Sequence, residues 1–498
     1  MQLRPDDADR WKDLGGGLAE LQRRDEALLT FQHALKLKPD HWDAAYRCGF
    51  LLREMGRAEE ALPYFNLVNR LQPNQHVVLE MRAIVLHSLK KYEEALADNL
   101  RAYALNPGNA DTCNNIGATL QFLSRDEEAL PWFDRAVALR PGHVLALLNK
   151  AASQLQTHRH AEAERTYRQV QAIDPGNPEP DWNLALLYML TGNFEVGWAM
   201  REARWKKANP GVYPKFSVPR WFGEGDIEGK TIVICADEGL GDTIQFVRYV
   251  PMVASLGARV ILVVDPPAHA LLSGTPGIAQ CLRKDLGVSV PFDLHCPMSG
   301  LPLAFGTRLD TIPPGAAYLP PLPEGRMRAW EDRLGPRSRL RVGLVWSGNP
   351  AHSNDHNRST SLRTFSRIFD LDATFVSLQK DPRPEDRATL IEHPKVLDPT
   401  ADLTDFVETA ALISCLNVVV TVDTSVAHLA AALGRPTWIL LPYDPDYRWL
   451  LGRDDSPWYS SARLFRQNEK RDYTLVLDRV RGELERLIAA RRQPEAIP

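Results

Sequence analysis

With 498 residues, 44% apolar and 24% charged, and a net charge of −4, the chain is too long for one hydrophobic core and has an ordinary globular composition. That charge gives no electrostatic reason to expect nucleic acid or a polybasic membrane anchor. The polar start Met1 to Arg10, the lack of an apolar run of bilayer length, and six scattered cysteines (Cys48, Cys113, Cys235, Cys281, Cys296, Cys415) point to a cytoplasmic protein without a disulfide framework or paired metal-ligand spacing.

Pro5, Pro39, Pro73, Pro107, Pro141 and Pro175 stand 34 residues apart, which predicts an array of helical hairpins in which each unit buries its apolar face against its neighbours. A small residue recurs in the first helix (Gly15, Gly49, Ala83, Gly117, Ala151) and an alanine in the second (Ala27, Ala61, Ala95, Ala129, Ala163). Phe31, Phe65, Phe133 and Tyr167 fill a ring slot that Asn99 departs from. The reading is five repeats from about residue 8 to 175, then a degenerate sixth through Trp205, where Gly197 and Arg201 replace the alanine and the ring. Degeneracy suits a capping unit. Met1 to Asp7 reads as the tail of a repeat whose body is absent.

The period ends near residue 206. Pro210, Pro214 and Pro219 cannot continue a helical hairpin, so Lys206 to Pro219 is expected to be a linker or docking strap. Beyond it, strands at Thr231 to Ala236, Arg259 to Val264, Arg341 to Trp346, Phe375 to Leu378, Val418 to Val422 and Thr437 to Leu441 alternate with helices at Thr243 to Leu256, Leu403 to Ile413 and Ser425 to Leu433. A proline-rich stretch, Pro297 to Pro323, separates the first two strands from the rest. Alternation of this kind predicts parallel sheets in two domains.

Three strand-to-loop junctions carry chemistry. In Asp237 to Asp242, Gly239 and Gly241 let backbone amides approach a ligand at a helix start. The dinucleotide fingerprint is incomplete because Ile244 takes the place of the third glycine, although Asp265 ends the next strand where a ribose-binding acid would sit. Asp242 reads equally as a helix-capping carboxylate. The second junction, Asp423, Thr424 and Ser425 followed by His428, offers free amides and hydroxyls suited to a diphosphate, or simply a capped helix with a packed histidine. The third contains Ser347 and Asn349 and continues to Arg358, whose guanidinium can pair bidentately with phosphate or lie solvated.

The blocks Asp237 to Phe246, Arg341 to Asn349, Asn357 to Ser359, Asp423 to Pro436 and Tyr447 to Gln467 resemble the glycosyltransferase domain found after tetratricopeptide repeats, a relative of the heptosyltransferases of glycosyltransferase family 9. The domain order is also similar to that of the O-linked N-acetylglucosamine transferase. The resemblance implies an all-α tetratricopeptide-repeat solenoid (1–205), a linker (206–220), and an α/β GT-B pair of facing Rossmann-like lobes at 221–335 and 336–470, the latter binding donor, with a C-terminal helix and tail at 471–498. It implies a metal-independent, inverting transferase without a cofactor, using a nucleotide-sugar as donor substrate. Asp242 maps onto the family's catalytic base, and Ser347, Asn349, Arg358, Asp423, Thr424, Ser425 and His428 onto the donor side. Where the heptosyltransferases use a lysine, the nearest match is Arg358.

Asn115, Asn149 and Asn183 recur at 34-residue spacing on the face expected to be concave, and an amide ladder can both donate to and accept from an extended peptide. The expected function is transfer of a sugar to a hydroxyl of a protein recruited by the repeats, with flagellin one candidate that the resemblance supplies. The alternatives are a glycan or lipid-linked acceptor, a non-catalytic adaptor with a vestigial transferase domain, and a dehydrogenase.

Overall fold

The computed structural model describes residues 6–207, 213–314, 317–352 and 354–492. Pro5, Pro210 and the end of the expected C-terminal tail lie outside the described residues. The chain divides into two compact units, Met1–Pro180 and Asp181–Pro498.

The first unit is a solenoid of five helical hairpins: Ala8–Glu20 with Arg24–Leu37, Trp42–Glu54 with Ala58–Leu71, His76–Ser88 with Tyr92–Leu105, Ala110–Phe122 with Asp126–Leu139, and Val144–Gln156 with His160–Ile173. The recurring proline works through the residue before it. Lys38, Gln72, Asn106, Arg140 and Asp174 leave the helix with φ between −129° and −140°, the conformation a following proline favours. The small residue makes room for the ring: a Cβ on Gly15 or Gly117 would come to 2.5 or 2.6 Å of Phe31 or Phe133, and on Gly49 to 3.0 Å of Phe65. Where Asn99 replaces the ring, it is buried, and its Nδ2 lies 3.5 Å from Thr119 Oγ1. Inside each hairpin the turn passes through a left-handed residue, Gln22, Gly56, Lys90, Ser124 and His158, of which only Gly56 adopts that backbone without steric cost.

The second unit opens with most of helix Pro178–Leu190 and with helix Phe194–Arg201. Two parallel sheets follow. Strands β1 (Thr231–Cys235), β2 (Arg259–Val264), β3 (Ile278–Arg283) and β4 (Leu294–Pro297) are ordered β3-β2-β1-β4. Strands β5 (Leu340–Val345), β6 (Ala373–Ser377), β7 (Val418–Val422), β8 (Thr437–Leu441) and β9 (Ala462–Arg466) are ordered β6-β5-β7-β8-β9. This is the two-sheet α/β architecture of a GT-B domain. The expected single helix at Thr243 to Leu256 is instead Leu240–Phe246, a 3-10 turn at Val247–Tyr249, and Val250–Ser255; Pro251 lies in the first turn of the last piece, where proline is tolerated.

The sixth, degenerate repeat is part of this second unit, and its departures from the repeat pattern have physical causes. A Cβ on Gly197 would fall 2.3 Å from Met189 Cγ and 3.1 Å from the Ala185 carbonyl, so the usual alanine does not fit. Phe194 and Trp198 join Phe246, Tyr447 and Trp458 in one aromatic cluster, with ring centroids 5.8–6.4 Å apart. Arg201, in the ring slot, reaches Glu238 instead. Past the repeat, Tyr213 and Phe216 pack on the outer face of the first sheet, and Trp221 N–H donates to the His295 carbonyl at 2.8 Å. The end of the proline-containing stretch thus straps β4.

Candidate active site

The first glycine turn leaves the carboxyl end of β1 and starts helix Leu240–Phe246. Its acids are not free. Asp237 accepts from Ser299 N–H at 3.0 Å and from Ser299 Oγ at 2.5 Å. Glu238 accepts from Arg201 Nη2 through both oxygens at 2.5 Å and from Arg204 Nη1 at 2.8 Å. Burial alone would raise the Glu238 carboxyl, but Arg201 and Arg204 outweigh it and hold it down at about 2. Burial prevails at Asp237, whose carboxyl is raised despite Arg204. Asp242 reaches back across the turn, accepting Gly239 N–H at 2.9 Å on Oδ2, while Oδ1 pairs with Arg448.

In the second sheet the strand order reverses between β5 and β7, and the loops leaving their carboxyl ends line the crevice that such a switch opens. Ser347 is buried, its N–H donating to Gln379 Oε1 at 3.0 Å, so it shapes the loop. Gly348 lies under Arg358: a Cβ there would sit 2.9 Å from both Nε and Nη2 of the guanidinium. Asn349 Oδ1 accepts Ala351 N–H at 2.9 Å in a local turn. Arg358 Nε is buried and has no hydrogen-bond partner among the described residues. From β7, Asp423 and Thr424 lead into helix Ser425–Ala432, which no side chain caps, so its first amides remain available to an acceptor. Burial raises the Asp423 carboxyl, opposed by Arg358.

His428 is one point where the lobes meet. A Cβ on Gly241 would lie 2.7 Å from His428 Cδ2, so glycine permits the helix starts to touch. The imidazole is 4% exposed, its Nδ1 is 2.8 Å from the Tyr459 hydroxyl, and its ring packs 5.5 Å from Trp449. Burial, and then the charge of Arg248, push it down to about 3. Its unfolded value is near 6.5, so the neutral ring contributes stability above that pH and loses it as the pH falls toward 3. The imidazole signals of His428 are accordingly expected not to titrate between about pH 5 and 8 in an NMR titration, and movement there would contradict the burial argument.

The structure therefore brings Gly239, Gly241 and Asp242 together with His428, and places Asp423, Thr424, Ser425, Ser347, Asn349 and Arg358 at the switch point of the second sheet. The amide ladder is divided. Asn115 and Asn149 lie in the first unit and Asn183 in the second. Asn149 Nδ2 donates to Asn114 Oδ1 at 3.0 Å, so that amide already joins one repeat to the next. A groove of about 490 Å³ lies elsewhere on the first unit, lined by Tyr46, Phe50 and Phe31 with Arg47, Asp43 and Glu54.

The residues missed by sequence reading are Arg201, Arg204, Arg448 and Asp446. Asp446 accepts Arg448 N–H at 3.1 Å and Arg448 Nη1 at 2.7 Å. Burial, then the charge of Asp423, push its carboxyl up to about 7, a push moderated by solvent because 36% of the side chain stays open. The one signal for Arg201 was its intrusion into a ring slot. Arg448 and Asp446 lie in or beside the Tyr447 to Gln467 block but follow no helical or strand period.

Comparison with known proteins agrees with this architecture. Residues 395–472 match the sequence profile of Glycosyltransferase family 9 (heptosyltransferase), and residues 13–76 and 123–178 match that of the tetratricopeptide repeat. The first match takes in β7 to β9, while Asp242 lies upstream of it. Protein FlbA of Caulobacter vibrioides is 26% identical over 325 residues, spanning 58% of this chain and 53% of FlbA. The chain thus spans about half the length of that curated relative. Among solved structures, YrrB, a tetratricopeptide-repeat protein with an unusual peptide-binding site, is 22% identical with a TM-score of 0.34 over 36% of this chain and 91% of YrrB. PilF of Pseudomonas aeruginosa is 18% identical with a TM-score of 0.35 over 41% of this chain and 93% of its own. The chain joins tetratricopeptide repeats to a C-terminal glycosyltransferase family 9 domain. No helix among the described residues is long and apolar enough to cross a membrane.

Proposed function

We propose that the protein transfers a sugar from a nucleotide-sugar to a hydroxyl of a protein acceptor recruited by the repeats. The observation that carries this reading is the meeting of the two turns: Gly241 lies against His428, and Asp242 pairs with Arg448 of the opposite lobe. A carboxylate on one lobe thus stands across a junction from an uncapped helix start and a buried guanidinium nitrogen on the other, which makes no hydrogen bond among the described residues and lies 3.9 Å from Asp355 Oδ1.

In this reading the donor phosphate lies on the amides of Ser425 and Val426, and Arg358 Nε donates to it. Asp242 removes the acceptor proton as the hydroxyl oxygen bonds to the anomeric carbon from the face opposite the phosphate. The bond between that carbon and the phosphate oxygen breaks, and the electron pair leaves with the phosphate, where the helix start and Arg358 stabilise it. His428 stays neutral and shapes the junction. This chemistry needs no metal or cofactor. The repeats support a protein acceptor, and the first-unit groove between Phe50 and Asp43 offers an apolar floor with charged walls for it.

The test is a thermal-shift panel of UDP-, GDP-, ADP- and CMP-linked sugars. One class is expected to raise the melting temperature by mass action, and Arg358→Ala is expected to reduce that rise. No shift with any of them would remove the donor site and favour an adaptor role.

A further inference from the structure

Arg448 ties the two lobes together at the base. It projects from the 3-10 turn Tyr447–Trp449, whose N-cap is Asp446. One Nη pairs with Asp242, the other reaches Asp446 Oδ1 at 2.7 Å, and Nε donates to Gln245 Oε1 at 2.7 Å. Both Asp242 and Gln245 belong to helix Leu240–Phe246. The guanidinium is therefore held along all its edges, twice from the first lobe and once from its own. Asp242 is held as tightly, since its second oxygen accepts Gly239 N–H. The pair joins residues 206 positions apart, one on each lobe.

Building on the reading of Asp242 as base, we propose that Arg448 is a positioning residue for sugar transfer: it fixes the Asp242 carboxylate in a single orientation at the junction of the lobes. The Asp242 and Arg448 side chains are 19% and 11% exposed, so the pair is largely, but not wholly, buried at the junction of the lobes. That residual exposure leaves part of the Asp242 carboxylate within reach of an incoming hydroxyl. Glu238 with Arg201 and Arg204 stands behind Asp242 on its own turn, and Arg448 also feels the charge of Glu238 and Arg201. Lysine cannot replace this geometry, because an ammonium is a point charge without the planar fork that meets three acceptors at once.

The experiment measures melting temperature and nucleotide release with UDP-glucose, GDP-mannose, ADP-glucose and CMP-N-acetylneuraminate. The full-length wild type, Arg448→Ala, Arg448→Lys and Asp242→Asn are compared, with and without added guanidinium ion. Loss of orientation is worth about 10²-fold, so Arg448→Ala is expected to release nucleotide about 10²-fold more slowly while its donor-induced melting shift is unchanged. Guanidinium ion is expected to restore most of the lost rate to Arg448→Ala and none to Asp242→Asn, and Arg448→Lys to recover less than guanidinium does. Full activity of Arg448→Ala alongside an inactive Asp242→Asn would overturn the positioning role and leave the base standing. Loss of the donor-induced shift without guanidinium rescue would overturn it in favour of a structural or donor-binding role. An active Asp242→Asn would remove the base, and the proposal with it. No binding or turnover by the wild type would remove the transferase reading on which both rest.

Discussion

Asp242→Asn is expected to abolish transfer while leaving donor binding intact. A positioned general base contributes about 10²–10⁴-fold, and the substitution removes that contribution with little change of shape. Asparagine Oδ1 can still accept from Gly239 N–H or from Arg448, but an amide cannot take a proton from the acceptor hydroxyl. The proposed donor contacts, Ser425 and Arg358, lie on the other sheet, so the donor-induced melting shift should persist. Measured with the nucleotide sugar that gives that shift, kcat should fall by this factor with KM for donor nearly constant. Retained turnover would point to Asp446. That carboxyl borders the same junction, and its upward push to about 7 gives a distinct signature: activity through it would rise with pH across neutrality.

What could be read from the residues follows from how each element is buried. Strands β1, β2, β5, β7 and β8 are near-continuous apolar runs because both faces are covered, and the sequence pattern finds them within a residue. The edge strands were harder. Ile278–Arg283 is half-exposed along its length, and Leu294–Pro297 is four residues long and ends in proline, so neither shows a strand signal. The turns bearing Asp242 and Asp423 were legible because a strand, a capping or glycine residue and a helix succeed one another in the chain. Arg448 was not, since its role depends on a helix 206 residues away. The left-handed residues at Gln22, Lys90, Ser124 and His158 were likewise invisible, their side chains sharing nothing but position. Its degeneracy alone makes the sixth repeat look like a cap to the solenoid. In the structure Arg201 leaves the ring slot to reach Glu238 of the sheet unit, while Gly197 is small for want of space beside Met189 in the repeat's own first helix.

That wiring carries the second large effect. Arg201→Met is expected to destabilise the second unit, though by less than the about 3–5 kcal/mol of a buried charge left wholly unpaired, because Arg204 still pairs with Glu238 at 2.8 Å. Arg201 is 3% exposed and donates to both oxygens of Glu238 and, at 3.3 Å, to the Ser299 carbonyl. Its loss leaves Glu238 to Arg204 alone, while Arg204 must also serve Asp237 at 3.3 Å. Replacing both partners should be far milder than replacing one, so Arg201→Met with Glu238→Leu should recover most of the loss in a urea double-mutant cycle. The pH dependence has a definite sign. The Glu238 carboxyl sits at about 2 in the folded chain, below its unfolded value near 4.3. Its pairing therefore stabilises fully above that value and is lost as the pH falls toward 2. Wild-type stability should drop across this window, and Arg201→Met, having already lost much of the pairing, should drop less. A parallel drop in both proteins would mean that Arg204 alone holds Glu238. The same network explains why a chain cut at residue 206 should lose activity even with both sheets complete: Glu238 and Asp237 precede the glycine turn directly, and without Arg201 and Arg204 two buried carboxylates would face each other at the base of the site.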